Sequence, residues 1–225
     1  MNEIDFFLDN GFAILNDVFT EEYCDKIVKN AEKINNSSEI FTPLMNPHTK
    51  SDIFLKAMSS KKITNFISNY FDGEVMGLQT EFFFMPSNTV GFTAHQDNTY
   101  VQADENAFIS AWVALTDVSS KNGGLIIWPE SHKEKKINTV ENKIIDFKNQ
   151  DPNARSRSSL IPKKYKKFSP ALKKGSVLMI DAWIVHASNS NNSDKNRNAL
   201  LCTYLKKNAN FRPGNTAKRK AFNLL

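Results

Sequence analysis

Two side chains that commonly bind metal ions, those of His95 and Asp97, are separated by a single residue, Gln96. If residues 92–101 form a strand, positions two apart point to the same face, so the imidazole and the carboxylate converge. A second imidazole would complete a set of two histidines and one carboxylate, which leaves open positions on Fe(II) for a chelating co-substrate and oxygen. Taken alone, the pattern also fits two surface residues of a strand.

His186 is the candidate for the third ligand. Its neighbours, Ile184, Val185 and Ala187, are apolar, so the sequence predicts a buried or half-buried strand end. A lone histidine on an apolar strand is more often a core residue than a ligand. Its assignment as a ligand therefore depends on its partners.

Arg197 follows His186 by eleven residues and suggests an anion site. We expect the loop 189–196 to place the two flanking strands side by side and antiparallel, which would bring Arg197 near His186. A guanidinium makes two parallel hydrogen bonds to a carboxylate and so suits the far end of a dicarboxylic acid, and Ser188 could share that group. The alternative is an exposed arginine beside a loop.

The elements that must position these residues are helices near the N-terminus followed by many short strands. A strand at 11–15 precedes a helix capped by Thr20, and a second helix is predicted at 60–70. The predicted later strands are 75–85, 92–101, 108–115, 125–128, 177–180, 183–188 and 199–205. This order predicts a mainly β fold with flanking helices, namely a double-stranded β-helix, also called a cupin-like jelly roll.

The chain of 225 residues predicts one domain spanning 1–225. Residues 133–174 form a polar interval that is too long for an ordinary loop, and we expect a lid or insertion there, with a short helix near 142–147. The N-terminus does not resemble a signal peptide, and no apolar run is long enough to cross a membrane, so the expected location is cytoplasmic.

The positions of the cysteines and the distribution of charge limit the kinds of metal site and substrate that we expect. Cys24 and Cys202 are far apart and outside any C-x-x-C pattern, which excludes a thiolate zinc site and favours two buried free thiols. The net charge is +5, and residues 152–180 and the tail after Asp194 contain no acidic residue. These stretches fit either solvated surface or attraction of an anionic substrate.

Together, these motifs resemble the phytanoyl-CoA hydroxylase-like family of Fe(II)- and 2-oxoglutarate-dependent oxygenases. The resemblance covers about residues 7–204. Besides the histidine, aspartate and arginine pattern, it rests on three segments in the same order and spacing, namely Trp112-Val113-Ala114-Leu115-Thr116-Asp117, Asn122-Gly123-Gly124-Leu125 and Pro129-Glu130-Ser131-His132-Lys133. Glu130 departs from the glycine usual in that family, which should change only a turn.

The resemblance implies the cofactors Fe(II), 2-oxoglutarate and O2, and it implies a role for each candidate residue. His95, Asp97 and His186 would bind iron. Arg197 and Ser188 would bind the distal carboxylate of 2-oxoglutarate. Gln79 stands where the family has a polar residue that contacts the co-substrate, and Trp112 where an aromatic residue lines the site; a polar strand residue and a core tryptophan are the alternatives.

The implied activity is hydroxylation of an unactivated C–H bond in a small-molecule substrate, which the charge pattern suggests is anionic. Related halogenases have a small residue at the position of Asp97, so this aspartate favours hydroxylation. A nucleic-acid demethylase of the AlkB-like type is disfavoured, because basic and aromatic residues do not interleave and that family has a shorter spacing between histidine and arginine. A cupin-like metal-binding protein without oxygenase activity would not need Arg197.

Overall fold

In the computed structural model, which describes residues 2–35, 43–143, 155–215 and 217–225, the larger β layer is an antiparallel sheet of seven strands. Six of them follow the order β1-β8-β4-β10-β3-β11, and β2 also pairs with β3. The strands are β1 (Phe12–Leu15), β2 (Leu44–Met45), β3 (Val75–Met85), β4 (Phe108–Ala114), β8 (Val177–Asp181), β10 (Arg197–Lys206) and β11 (Phe222–Asn223).

The smaller layer faces this sheet and is built on β5 (Leu125–Trp128) and β9 (Val185–Ser188), which pair antiparallel. Isolated bridges widen it, because His95 pairs with His186 and Ile127 pairs with Phe168. A short hairpin of β6 (Thr139–Glu141) and β7 (Arg157–Ser159) joins its edge. Two facing antiparallel layers with outer helices confirm the predicted jelly roll.

Helices pack on the outer face of the larger sheet. They are α1 (Glu3–Asn10), α2 (Glu21–Ile34), α3 (Asp52–Met58) and α4 (Lys61–Phe71), while a single turn, α5 (Asn98–Val101), lies near the cavity. The predicted cap is present, since the Thr20 hydroxyl accepts a hydrogen bond from Tyr23 N. Cys24 and Cys202 are buried free thiols in the core beneath these helices, as predicted.

Side chains of the large sheet point alternately to the core beneath the helices and to the space between the two layers. On β4, Ile109, Ala111 and Val113 pack toward the helices, whereas Phe108 and Trp112 line a cavity between the layers. Because successive side chains of a strand point to opposite faces, the same sheet supports the core and carries the site.

Two predictions about the elements around the site were wrong. Residues 92–101 are not a strand, since only His95 forms a bridge and the chain then turns into α5. The loop 189–196 does not join neighbouring strands, because β9 pairs with β5 while β10 lies between β4 and β3 in the other layer. Both errors concern backbone pairing between residues that are far apart in sequence. Local sequence patterns do not reveal such pairing, because the chain crosses from one layer to the other.

Residues 133–174 contain β6 and β7, which the sequence did not indicate. The helix expected near 142–147 lies mostly outside the described residues, and the single-domain assignment stays a prediction. Glu130 has φ 66°, the left-handed backbone conformation that glycine adopts most easily, so its turn is compatible with the glycine usual at this position. In the described part of the chain, the helices are all too short or too polar to cross a membrane.

Candidate metal centre and cavity

His95, Asp97 and His186 come together at one point between the two layers. One ligand atom from each lies within 4.8 Å of the others. Asp97 Oδ1 is 3.6 Å from His95 Nε2 and 3.4 Å from His186 Nε2. The predicted convergence is therefore present, although a bridge and a turn produce it instead of a regular strand.

Backbone and side-chain hydrogen bonds hold the segment around His95 in place. His95 N and His186 N each donate to the other's carbonyl oxygen, at 2.9 and 3.0 Å. The buried side chain of Gln96 points away from the site, where its Nε2 donates to Trp183 O and its Oε1 accepts from Ile137 N. These bonds fix the turn that carries Asp97 back toward the histidines.

Each ligand is also oriented through its second polar atom. His95 Nδ1 lies 2.8 Å from Thr93 O, which suits an N–H donated to that carbonyl and leaves the lone pair on Nε2. Asp97 Oδ2 accepts a hydrogen bond of 2.7 Å from the Ser110 hydroxyl, which leaves Oδ1 toward the histidines. The three free atoms are those that face one another.

The protonation states suit a cation. Burial, assisted by the neighbouring His186, lowers the pKa of His95 to about 4, so its ring is neutral near pH 7. Burial alone would raise the pKa of Asp97, but the two imidazoles and the Ser110 hydroxyl outweigh it and lower that pKa. A neutral imidazole and an ionised carboxylate are the forms in which these groups bind metals.

The guanidinium of Arg197 is buried, and only some of its N–H donors have a hydrogen-bond acceptor among the described residues. Its side chain lies over the Trp112 ring at 5.1 Å, and its Nη2 donates to Met85 Sδ. Its Nε and Nη1 are buried and find no hydrogen-bond partner among the residues that the structure describes. Burial lowers its pKa to about 9, so the group stays charged at neutral pH and needs an anion.

Close backbone approaches shape this end of the cavity. A Cβ on Gly123, at φ 89°, would lie 2.5 Å from Met85 Sδ and 3.4 Å from Arg197 Nε. A Cβ on Gly91 would meet the Ser188 carbonyl at 1.9 Å. Glycine at these positions therefore leaves room for the guanidinium and for the turn beside Ser188.

The remaining predicted residues line the same cavity. The buried Ser188 hydroxyl accepts from Phe92 N at 2.9 Å and can still donate its own proton. Gln79 is 1% exposed, and its Nε2 has no partner in the described part of the chain. Trp112 is buried beside Arg197. All seven predicted site residues are thus brought together.

The cavity has a volume of about 480 Å³ and lies between the layers. Aromatic and aliphatic side chains form much of its wall, including Phe83, Phe92, Tyr100, Phe108 and Leu201. Its charged and metal-binding groups are the histidine and aspartate cluster, Arg197, Arg219 and Glu81. A pocket of this size and lining suits small-molecule ligands.

Sequence reasoning missed three polar residues of this site. Ser110 was an available signal, since it is a polar residue in the middle of an apolar strand. Glu81 lies on the same inward-facing row of β3 as Gln79. Arg219 comes from the acid-free tail, where it looked like one more surface charge.

The side chains fit both expected cofactors. Two imidazoles and one carboxylate form the donor set typical of non-haem Fe(II) sites with open positions. Arg197 and Gln79 belong to the lining of the same cavity, and their unpartnered donors are buried, where N–H groups without acceptors are costly. A dicarboxylate that chelates the metal would supply the missing acceptors.

Among proteins of known sequence, the chain is 30% identical over 118 residues to a phytanoyl-CoA dioxygenase domain-containing protein 1 homolog of Dictyostelium discoideum, covering 49% of this chain and 39% of that protein. It is 26% identical over 164 residues to the homolog of Caenorhabditis elegans, covering 68% of this chain and 54% of that protein. The chain thus spans about half the length, or less, of these relatives.

Solved structures share the fold. The epimerase SnoN in complex with Fe³⁺, alpha ketoglutarate and nogalamycin RO superposes with a TM-score of 0.79 at 15% identity, covering 94% of this chain and 85% of that one. EvdO2 of Micromonospora carbonacea var. aurantiaca, complexed with 2-oxoglutarate, superposes with a TM-score of 0.74 at 16% identity, covering 91% and 89%.

The family model of phytanoyl-CoA dioxygenase matches residues 7–199. This match includes all seven predicted site residues and ends two residues beyond Arg197. The match confirms the predicted family. The dioxygenase class and the Fe(II) and 2-oxoglutarate cofactors are those that this family implies. On this match, the chain belongs to the phytanoyl-CoA dioxygenase family.

Proposed function

We propose that the protein is an Fe(II)- and 2-oxoglutarate-dependent dioxygenase that hydroxylates a C–H bond of a small anionic metabolite. In this proposal His95, Asp97 and His186 bind the iron. Arg197 and Ser188 bind the distal carboxylate of 2-oxoglutarate. Gln79 contacts the co-substrate and Trp112 lines its binding site.

The proposal rests on two sets of polar atoms in one cavity. One set is the three candidate metal-ligand atoms, and the other is the unpartnered N–H donors of Arg197. One ligand atom each of His95, Asp97 and His186 lies within 4.8 Å of the others, and Nε and Nη1 of Arg197 are buried with no acceptor among the described residues. A molecule with a chelating end and a distal carboxylate satisfies both sets at once. No separate ligand for either set is then required.

Each residue contributes through position and charge. Asp97 and the two histidines would hold the metal through one ligand atom each. Arg197 anchors the far carboxylate, and its stacking on Trp112 limits the directions in which the fork can point. The aromatic wall makes much of the cavity surface apolar. Bound Fe(II), 2-oxoglutarate and O2 supply the oxidation, in which the co-substrate becomes succinate and CO2 and the substrate gains a hydroxyl oxygen.

Two features support an anionic primary substrate. A second arginine, Arg219, lines the cavity, where it donates to the neutral amide of Gln79 and is attracted by the carboxylates of Glu81 and Asp97 without a direct ion pair to either. The basic stretch 155–174 also lies next to the site, because Ser159 N donates to Ala94 O beside His95. Reaction within the cytoplasm is part of the same proposal.

The test is binding of Fe(II) and 2-oxoglutarate without oxygen, followed by the visible charge-transfer band of the chelate. We expect the parent protein to give the band and His95→Ala, Asp97→Ala and His186→Ala each to lose it. His132→Ala is the matched control, since that histidine contacts Leu8 O away from the cavity. On admission of oxygen, the parent should form succinate slowly even without primary substrate.

Two results would overturn the proposal. If His186→Ala retains the band with parental affinities, the third ligand is assigned wrongly. If the parent binds metal but neither binds 2-oxoglutarate nor forms succinate, the protein is a cupin-like metal-binding protein without oxygenase activity.

A further inference from the structure

The C-terminal segment, residues 211–225, lies beyond the part of the chain that the family model matches, yet it reaches the cavity. Its beginning is tied down where Arg212 N donates to Val101 O at 2.7 Å. Its end is tied down by the pairing of β11 with β3 and by a hydrogen bond of 3.0 Å from Leu225 N to Ser59 Oγ. Between these ties, Ala217 and Arg219 line the cavity.

The pairing of β11 depends on a close approach. Phe222 lies against Gly77 of β3, where a Cβ would come within 2.4 Å of the Phe222 ring. The Phe222 ring also stacks on His48, with centroids 4.5 Å apart. Phe222 is thus clamped two residues along β3 from Gln79, and it places Arg219, three residues earlier in the chain, beside the Gln79 side chain.

Arg219 Nε donates a hydrogen bond of 2.8 Å to Gln79 Oε1. A guanidinium has donors only, so the side of the amide that faces it must be the oxygen. The other orientation would place the amide N–H groups against N–H groups of the arginine. The contact therefore forces Gln79 Nε2 to the other side, where it is buried without a partner among the described residues.

We propose that Arg219 is a positioning residue that locks the amide of Gln79, so that Gln79 Nε2 donates a hydrogen bond to bound 2-oxoglutarate. This inference rests on the proposed function and extends the co-substrate site to a segment outside the family match. Arg219 acts through Gln79 and does not itself touch the co-substrate. Without Arg219, the amide of Gln79 is free to present either its oxygen or its nitrogen to the carboxylate of the co-substrate.

The experiment is a double-mutant cycle on the affinity for 2-oxoglutarate, measured without oxygen by calorimetry on the Fe(II)-loaded protein. We expect Gln79→Ala to weaken binding about 10-fold, the effect of one hydrogen bond to a charged group. Arg219→Ala should weaken it about 3- to 10-fold. In the Gln79→Ala background, Arg219→Ala should have less than a 2-fold further effect, because the residue through which it acts is gone.

Two further variants separate positioning from charge. Arg219→Lys retains a donor for Gln79 Oε1 and should recover most of the affinity. Gln79→Glu keeps the shape and the bond to Arg219 but presents a second acceptor to the carboxylate, so it should bind 2-oxoglutarate more weakly than Gln79→Ala. Lys220→Ala removes a neighbouring exposed charge and is the matched control, with parental affinity expected.

The outcomes are distinguishable from failure of the proposed function. If Arg219→Ala weakens binding as much in the Gln79→Ala background as in the parent, Arg219 acts by its own charge and the inference is overturned. If Gln79→Ala binds 2-oxoglutarate like the parent, the inference is also overturned, while iron and co-substrate binding by the parent still support the dioxygenase. A parent that does not bind 2-oxoglutarate overturns both.

Discussion

The hydroxyl of Ser110 is the contact that orients Asp97. Asp97 stands in a turn, where its backbone alone would not fix the direction of the carboxylate. The hydrogen bond of 2.7 Å to Oδ2 leaves Oδ1 for the metal, and Ser110 itself lies on the central strand β4. Because Ser110 belongs to the sheet, its hydrogen bond fixes the direction of the Asp97 carboxylate, although Asp97 itself lies outside the sheet.

We therefore expect Ser110→Ala to lower the affinity for Fe(II) about 10-fold or more, the usual effect of removing a group that orients a metal ligand. Titration with Fe(II) or a redox-stable substitute such as Co(II) measures this. Ser176→Ala, which also removes a buried hydroxyl, is the control and should bind metal normally. Parental metal affinity in Ser110→Ala would mean that the turn alone positions Asp97.

Arg197 supplies a second prediction for a single residue. Arg197→Ala removes a charge-assisted pair worth about 1.5–3 kcal/mol, so the affinity for 2-oxoglutarate should fall about 10- to 100-fold. Metal binding should be unchanged. Arg197→Lys should recover only part of the loss, because an ammonium cannot form the fork or the same stacking on Trp112. An unchanged affinity in Arg197→Ala would contradict the assignment.

At the scale of elements, the hairpin of β6 and β7 connects the basic interval to the site. Ser159 N donates to Ala94 O at 2.8 Å, and Thr93 Oγ1 donates to the carbonyl oxygen of Arg157. Lys164 is paired with Glu134 at 2.6 Å, whereas Lys163, Lys166 and Lys167 are exposed. A lid in this interval remains a prediction, and its charges can be tested separately from its motion.

Changing Lys163, Lys166 and Lys167 together to Gln should slow the association of 2-oxoglutarate at low ionic strength and flatten its salt dependence. Stopped-flow measurement of Trp fluorescence gives the rate. The matched control changes Lys29, Lys33 and Lys61, which are exposed on α2 and α4 on the outer side of the large sheet. Identical salt curves for parent and variant would identify these three lysines as ordinary solvated surface.

At the scale of the whole molecule, the metal centre joins the two layers of the jelly roll. His186 belongs to the smaller layer, and Asp97 is bonded to β4 of the larger layer through Ser110. A ligand bound at this point links the layers in the folded state only. Its binding free energy should therefore appear as stability of the entire fold.

Fe(II) and 2-oxoglutarate together, at about 100 times their dissociation constants, should add about 2.7 kcal/mol or more to the free energy of unfolding. For a chain of this length that corresponds to a rise in Tm of about 5–10 °C. Thermal unfolding under anaerobic conditions measures the shift. Chelation of the metal or the His186→Ala variant should abolish the rise, and a rise that persists in either would place the stabilising site elsewhere.

Much of this protein could be predicted from residue type and spacing. Runs rich in apolar and aromatic residues predicted β3 and β5 with their observed bounds, and the Thr20 cap predicted the start of α2. These are local properties, because period and capping depend on neighbours within a few residues. His95, Asp97, His186, Ser188 and Arg197 were predicted from donor chemistry and order along the chain. Gln79 and Trp112 were predicted only from the resemblance to the family.

Tertiary structure alone decided how those residues meet. The turn at Asp97 depends on bonds from Gln96 to residues about 40 and 87 positions away, which no local pattern encodes. The placement of β9 and β10 in opposite layers, and the arrival of Arg219 beside Gln79, 140 positions earlier in the chain, depend on pairing between distant strands. The types and spacing of residues in the sequence indicate which metal and anion ligands the chain can offer. Contacts between distant residues determine which atoms of those side chains remain available to bind them.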